Sequence, residues 1–408
     1  MARPRSLLRI LLSEGASTSA REAVTALGLG GHHIEVMDPD PHCICRFSRF
    51  VARVHRCPPV SGDPKAYLAF TLDLLGRQPF DVLLPIHEQG LVFAKAAHRL
   101  PKTVGVALPS FAAYETGLDK AYFSRLLAEL GVPQPKTQIV QGPADIPKEG
   151  FPFVVKRPMG TASRHVYMIR AVEDMEKARA AEQSLPGPLL VQELIDAPLE
   201  HAQSVFDHGR LVGMHFYRQI VRGAGGGEAI KESVWRPQVR AEIEKVARHL
   251  DWHGALSVDY LLKEEVPYFI DCNPRLVEPM SAHFAGLDLA GLLVAVSRGE
   301  HPPEAPPGRP GIRTRLSLQA LLGIATKTRS RVEIVREIFR ILTGTGLYAG
   351  SREELTPVSL DWMAVIPVAA AAMAVLVHPG SADILPKSGW GAGLLTPEAI
   401  RIIREEID

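Results

Sequence analysis

The stretch Ser257-Val-Asp259-Tyr-Leu-Leu-Lys-Glu-Glu-Val-Pro-Tyr-Phe-Ile-Asp271-Cys-Asn273-Pro-Arg275 concentrates the residue types that could do chemistry. Two strands joined by the polar Lys263-Glu264-Glu265 turn bring Asp259 alongside Asp271, and the period of two puts Asp271 and Asn273 on one face. Three oxygen donors then converge. Carboxylate and amide oxygens suit a hard cation such as Mg²⁺ (or Mn²⁺), usually bound through one or two carboxylates together with substrate phosphates. Arg275, next in the period, faces the same place and offers a guanidinium fork to a phosphate or carboxylate. Upstream, Phe153-Val-Val-Lys156 ends an apolar strand in a lysine, and the small-residue turn Met159–Arg164 can bring backbone N–H groups close to phosphates. It is not a Walker A loop, because Gly-Lys-Ser/Thr at the head of a helix is missing.

These residues need elements to hold them. An apolar strand at Leu7–Leu12, a helix entered through Ser19-Ala-Arg-Glu22 as a capping box, strands at Ile34–Met37 and Val82–Pro85 and a helix near Ala66–Leu75 alternate as in an open α/β sheet. No G-x-G-x-x-G follows the first strand. His87-Glu88 follows the last of these strands, at the carboxyl edge where such sheets bind ligands. From Pro109 the pattern is mixed α+β. Phe123, Leu126, Leu127 and Leu130 define one helix stopped by Gly131, and strands follow at 153–156, 165–169, 189–193, 203–206, 211–219, 255–262 and 268–271. The Pro-rich run His301–Gly311 cannot pass through a helix or strand and is read as a linker. Beyond it the chain turns helical, ending in a helix capped by Thr396 with Pro397 at its first position. The expected organisation is 1–108, an α/β domain; 109–300, an α+β domain; 301–311, linker; 312–408, a helical C-terminal region.

Composition narrows the function. The chain has 408 residues with Lys+Arg 46 against Asp+Glu 45, a net charge of +1 that argues against nucleic acid as primary partner. Four cysteines are too few for a disulfide framework in a chain this long and favour a reducing, cytoplasmic setting. His32, His33, His42, Cys43, Cys45, His55 and Cys57 fit no zinc-finger frame. The apolar segment Met363–Val377 falls short of the roughly 20 residues that span a bilayer, so a buried or surface-docking helix is expected, with membrane-surface contact a lesser alternative.

Taken in order, these motifs resemble the ATP-grasp superfamily of carboxylate–amine ligases, the group that includes biotin carboxylase, carbamoyl phosphate synthetase and D-alanine:D-alanine ligase. The resemblance spans about Pro109 to Arg298, and the α/β region before it resembles the Rossmann-like preATP-grasp domain. It implies that Lys120 and Lys156 contact the nucleotide, that Gln192-Glu193-Leu194-Ile195 is the hinge whose backbone reads adenine, and that Glu200 meets the ribose hydroxyls. It further implies that Asp259, Asp271 and Asn273 are the metal ligands, and that Asn273-Pro274-Arg275 is the family's terminal Asn-Pro-Arg. Position 271 is Asp where most members have Glu, one methylene shorter. Gly223–Gly227, within Arg218–Lys231, corresponds to a mobile loop that closes over the phosphates. The expected activity is activation of a carboxylate by ATP and Mg²⁺, with Lys156 and Arg275 in catalytic roles and small-molecule carboxylate and amine substrates. Alternatives are an ATP-dependent carboxylase and an ATP-binding regulatory or scaffold protein. The oligomeric state is not encoded in these motifs.

Overall fold

In a computed structural model, which describes residues 7–160, 165–185, 187–224, 227–385 and 393–408, the N-terminal region is a four-stranded parallel sheet. Its strands are β1 (Arg9–Leu12), β2 (His33–Asp38), β3 (Val51–Arg56) and β4 (Val82–Leu84), in the order β3-β2-β1-β4. The order reverses between β1 and β4. The loops leaving these two strands therefore open a crevice at their carboxyl ends, and they are tied together there, Ile86 N donating to Ser13 Oγ at 2.9 Å. The first helix, Thr18–Leu29, is capped by Ser17, whose Oγ accepts from Ala20 N. Ser19 and Glu22 do not form the expected capping box, because Glu22 is fully buried and turned away to accept from Met280 N at 3.0 Å.

The next region grips with two sheets, antiparallel except for one parallel edge pair in the larger. The smaller has the order β5-β8-β6-β7, from Thr137–Val140, Leu189–Glu193, Phe153–Lys156 and Val166–Ile169. The larger is seven-stranded, β13-β12-β9-β10-β11-β14-β15: Val266–Asn273, Gly254–Lys263, Leu199–Asp207, Arg210–Arg222, Glu228–Val234, Arg313–Arg315 and Arg352–Glu353. One face of the larger sheet packs Ala202, Phe206, Phe216, Val258 and Phe269 against the helix Pro237–His249 and the helix Lys120–Leu130. The latter helix follows the predicted periodicity. Asp119 caps it by accepting from Ala121 N and Tyr122 N, and Gly131 closes it in left-handed backbone at φ 62°.

The Pro-rich run 301–311 contains no helix or strand, as its prolines dictate, but it lies against the sheet: Ala305 N donates to Val212 O and Gly311 N to Ser233 O. The chain beyond it is mostly helical, yet β14 and β15 extend the large sheet, pairing Lys231 with Thr314 and Thr314 with Arg352. The helix Pro397–Glu406 returns to the first domain, where Ile403 and Ile407 join the core of Leu11, Tyr67 and Phe93. None of the described helices is long and apolar enough to cross a membrane. Cys43, Cys45, Cys57 and Cys272 are buried free thiols.

Candidate functional site

The register of the β12–β13 hairpin pairs Asp259 directly with Asp271 and Ser257 with Asn273, as the sequence pattern requires. Between Asp259 and Tyr260 the register slips, partners stepping from Asp271 to Phe269, so Ile270 has no partner in the ladder. Its carbonyl accepts instead from Lys156 Nζ at 2.7 Å, which reaches across from the end of β6 in the small sheet. Lys120 Nζ, at the head of its helix, lies 3.1 Å from Asp271 Oδ1 and donates to Gly160 O at 2.7 Å. Two cations from two elements thus converge on Ile270-Asp271, at the mouth between the sheets. Both lysines are buried. Burial lowers the Lys156 ammonium to about 8, with Lys120 adding to the effect and Asp271 and Asp259 opposing it.

The sequence reading missed His201. It stands beside Asp259 in the β9–β12 register, with Nδ1 at 2.7 Å from Asp259 Oδ1, Nε2 at 2.8 Å from a Glu228 oxygen, and its ring stacked on Tyr217 at 4.8 Å. Burial alone would discharge it, but the Glu228 and Asp259 carboxylates raise it to about 10, so it is a cation at neutral pH. The signal available was a histidine and a glutamine, His201 and Gln203, two apart and so on one face of the strand. Asp259 and Asp271 each have an oxygen engaged, by His201 and by Cys272 N, and remain about a quarter exposed, at 27% and 24%. Asn273, two residues beyond Asp271, lies on the same face of β13, and carboxylate and amide oxygens are the donor types that suit Mg²⁺.

Glu200 is elsewhere. Strand alternation turns it to the face opposite His201, where Arg236 grips both of its oxygens, Nε at 2.7 Å and Nη2 at 2.6 Å, and the Tyr260 hydroxyl donates at 2.9 Å. The structure therefore does not bring Glu200 together with the two lysines. In the expected hinge, Gln192 Nε2 donates to Thr137 Oγ1 at 2.8 Å and Glu193 N to Lys136 O. Leu194 and Ile195 lie just past β8, on the joint that leads from the small sheet to the large one. The small-residue turn is described only to Gly160, Thr161–Arg164 lying outside the described residues. Gly225 and Gly226 also lie outside them. The flanking Gly223 N–H donates to Gly227 O at 2.7 Å, and Ala224 packs with Leu321 and Leu322 of the helix Ser317–Thr328. Arg218 and Arg222 are on β10, while Lys231 is fully buried beneath the sheet.

Arg275 is buried, and its Nε has no hydrogen-bond partner among the described residues. Its charge acts on His87, which burial and then Arg275 hold well below the usual histidine range. The crevice of the N-terminal sheet and the end of β13 therefore meet at His87 and Arg275. Neighbouring Glu88 accepts from Leu395 N at 2.6 Å, so the C-terminal segment closes one side. Glu14, in the loop after β1, is buried, accepts from Ala16 N and Ser17 N, and is raised to about 7 by desolvation. A carboxyl with a native pKa above its unfolded value holds its proton more tightly in the fold. Its contribution to stability is therefore full below about 4.5 and is lost as pH rises to about 7, a swing of about 3 kcal/mol. Melting curves from pH 4.5 to 7.5 should show that part of the slope removed in Glu14→Gln; an unchanged slope would mean that Glu14 titrates normally.

The family model for the ATP-grasp domain matches residues 118–279. The carbamoyl phosphate synthase large chain of Caldanaerobacter subterraneus subsp. tengcongensis is 25% identical over 207 residues, 47% of this chain and 19% of that one. Acetyl-CoA carboxylase of Dictyostelium discoideum is 26% identical over 163 residues, 37% of this chain and 7% of that one. The chain thus matches under a fifth of the length of these two curated relatives. Among solved structures, N5-carboxyaminoimidazole synthetase from Staphylococcus aureus, complexed with ADP, superposes with a TM-score of 0.62 at 14% identity, over 79% of this chain and 86% of that one. L-amino acid ligase from Bacillus licheniformis superposes with a TM-score of 0.58 at 17% identity, over 71% and 74%.

Proposed function

We propose, from the match of residues 118–279 to the family model for the ATP-grasp domain, that the protein is an ATP- and Mg²⁺-dependent ligase that activates a carboxylate as an acylphosphate, releases ADP and orthophosphate, and passes the acyl group to an amine. The observation that carries this reading is the convergence of Lys120 and Lys156 on Ile270-Asp271, beside the Asp259–Asp271 pair. Asp259, Asp271 and Asn273 would hold a Mg²⁺ ion, which would supply charge neutralisation for the terminal phosphates. Lys156, which burial lowers to about 8 against the opposing pull of Asp271 and Asp259, is still mainly charged at neutral pH and, positioned by the Ile270 carbonyl, presents a cation to the transferring phosphoryl group. Lys120 exchanges its hold on Asp271 and Gly160 for a phosphate oxygen. Arg275, buried with a spare donor, orients the substrate carboxylate and then stabilises the oxyanion formed when the amine attacks the acylphosphate. His87, neutral beside Arg275, leaves the field there positive enough for an anion.

A second reading uses bicarbonate as the carboxylate, making the protein an ATP-dependent carboxylase. Its support is the similarity to acetyl-CoA carboxylase and to N5-carboxyaminoimidazole synthetase. A phosphate-release screen over carboxylate and amine pairs, with bicarbonate as one arm, separates the two, and no turnover with any pair would favour a regulatory ATP-binding role. With an ¹⁸O-labelled carboxylate, one label should appear in the released phosphate, because the carboxylate oxygen becomes the bridging atom of the acylphosphate. Lys156→Ala should lower turnover by about a hundredfold or more. AMP with pyrophosphate, or unlabelled phosphate during product formation, would exclude acylphosphate chemistry.

A further inference from the structure

The end of the large sheet remote from the paired carboxylates gathers histidines from three separate segments. β9 closes on Asp207 and turns at His208-Gly209, Asp251-Trp252-His253 leads into β12, and His301 opens the Pro-rich run. Asp207 is the centre. Its Oδ2 is held by Arg210 Nη2 at 2.7 Å and by His301 Nδ1 at 2.8 Å. Its Oδ1 faces His253 Nδ1 at 3.6 Å. That separation is too long for a hydrogen bond, and His253 Nδ1 is buried with no hydrogen-bond partner among the described residues.

A gap of 3.6 Å is close to the ~3.4 Å that separates two ligands of one tetrahedral ion bound at about 2.0–2.1 Å. His208 supplies the next donor. Its ring lies face to face with that of His253, centroids 4.2 Å apart at 21°, and its Nδ1 is 3.3 Å from Asp251 Oδ2. One ligand atom each from Asp207, His208 and His253 lie within 4.8 Å of one another. Two imidazoles and a carboxylate suit a borderline cation, whereas Mg²⁺ prefers oxygen alone.

We infer that Asp207, His208 and His253 form a zinc site that fastens the β9–β10 hairpin to the loop leading into β12. The ion binds Asp207 through Oδ1 while Arg210 and His301 keep Oδ2, and water or Asp251 completes a tetrahedral shell. Asp207 lies six positions along β9 from His201, roughly 20 Å of strand. The site therefore acts on stability and not on the phosphates.

The test uses the untagged full chain stripped with chelator and titrated calorimetrically with ZnCl₂ in buffer containing Mg²⁺. About one equivalent should bind with micromolar or tighter affinity and raise Tm by a few degrees. Co²⁺ in its place should show the visible absorption of a tetrahedral site. His208→Ala, at a largely exposed position, and His253→Ala should each weaken zinc binding at least tenfold while keeping the metal-free Tm and ATP binding of the parent. Uptake only at millimolar zinc, or equal affinity in the His208→Ala/His253→Ala double variant, would overturn the site. Should His253→Ala fail to fold, His208→Ala and Asp207→Asn decide, because retention of parental affinity in both refutes it.

Discussion

Asp271→Asn combined with Asn273→Ala should abolish turnover and remove the Mg²⁺ dependence of ATP binding, while Tm stays within a few degrees of the parent. Both positions lie at the open end of the β12–β13 hairpin, with Asp271 about a quarter exposed and Asn273 partly so, and neither side chain belongs to an apolar core. The substitutions remove one carboxylate charge and one amide oxygen and leave the backbone ladder in place. A divalent ion is the largest local charge opposing a triphosphate, so losing one anionic donor and one neutral donor from the set outweighs the loss of any one lysine. Asp271→Asn also frees Lys120, now 3.1 Å from the carboxylate, and Lys120→Ala alone separates that contribution by leaving the metal dependence intact. Nucleotide binding measured by calorimetry with and without Mg²⁺ decides the matter, and parental activity in the double variant would sink the metal assignment.

The largest effect on stability is expected at Lys231. It is fully buried, forms ion pairs with Glu278 and with Glu354, the latter at 2.8 Å, and lies 4.7 Å from the centre of the Tyr217 ring. Glu22 is close enough for its charge to be felt by the same group. Burial raises Glu22 and Glu354 above the usual carboxylate range, and Lys231 is the cation that opposes this. Lys231→Met would leave buried carboxylates without a countercharge, costing on the order of 3–5 kcal/mol. Adding Glu354→Gln and Glu278→Gln to Lys231→Met should recover much of the loss, since the penalty lies in the unpaired charges and not in the missing amine. Urea denaturation of the parent, Lys231→Met and the triple variant forms the test. A loss below about 1 kcal/mol for Lys231→Met, or no recovery on neutralising the glutamates, would show that the cluster is not held by this cation.

Much of this architecture was legible in the sequence because it rests on short-range rules. The period of two in Ala255–Leu262 and Tyr268–Asp271, with a polar turn between, sufficed to pair Asp259 with Asp271. The spacing Phe123, Leu126, Leu127 with Gly131 sufficed for the helix that carries Lys120. What escaped has identifiable causes. The slip at Ile270, which creates the carbonyl that Lys156 meets, has no residue signature, since one unpaired position in an apolar strand reads like its neighbours. Glu200 could not be assigned a face because β9 is buried on both sides from Glu200 to Asp207, and the usual contrast of polar and apolar sides is missing. β14 reads Arg-Thr-Arg over three residues, too short and too charged for a pattern; it is a strand because Lys231 and Glu232 lie beside it. The buried quartet of Lys231, Glu22, Glu278 and Glu354 joins four distant parts of the chain, and no local spacing announces it.

The return of the helix Pro397–Glu406 to the first domain sets an order of events during synthesis. Ile403 and Ile407 complete the core that Leu11, Tyr67 and Phe93 begin, and Arg404 pairs with Glu115 at 2.6 Å. A ribosome adding 5–20 residues per second needs on the order of 15–60 s to pass from Phe93 to Ile403. For that interval the nascent sheet leaves the face around Tyr67 and Phe93 uncovered, an apolar surface of the kind that draws chaperones or seeds association between neighbouring chains. Slow decoding of the intervening segments would lengthen the exposure, so the yield of native protein should be more sensitive to translation rate than its final stability suggests.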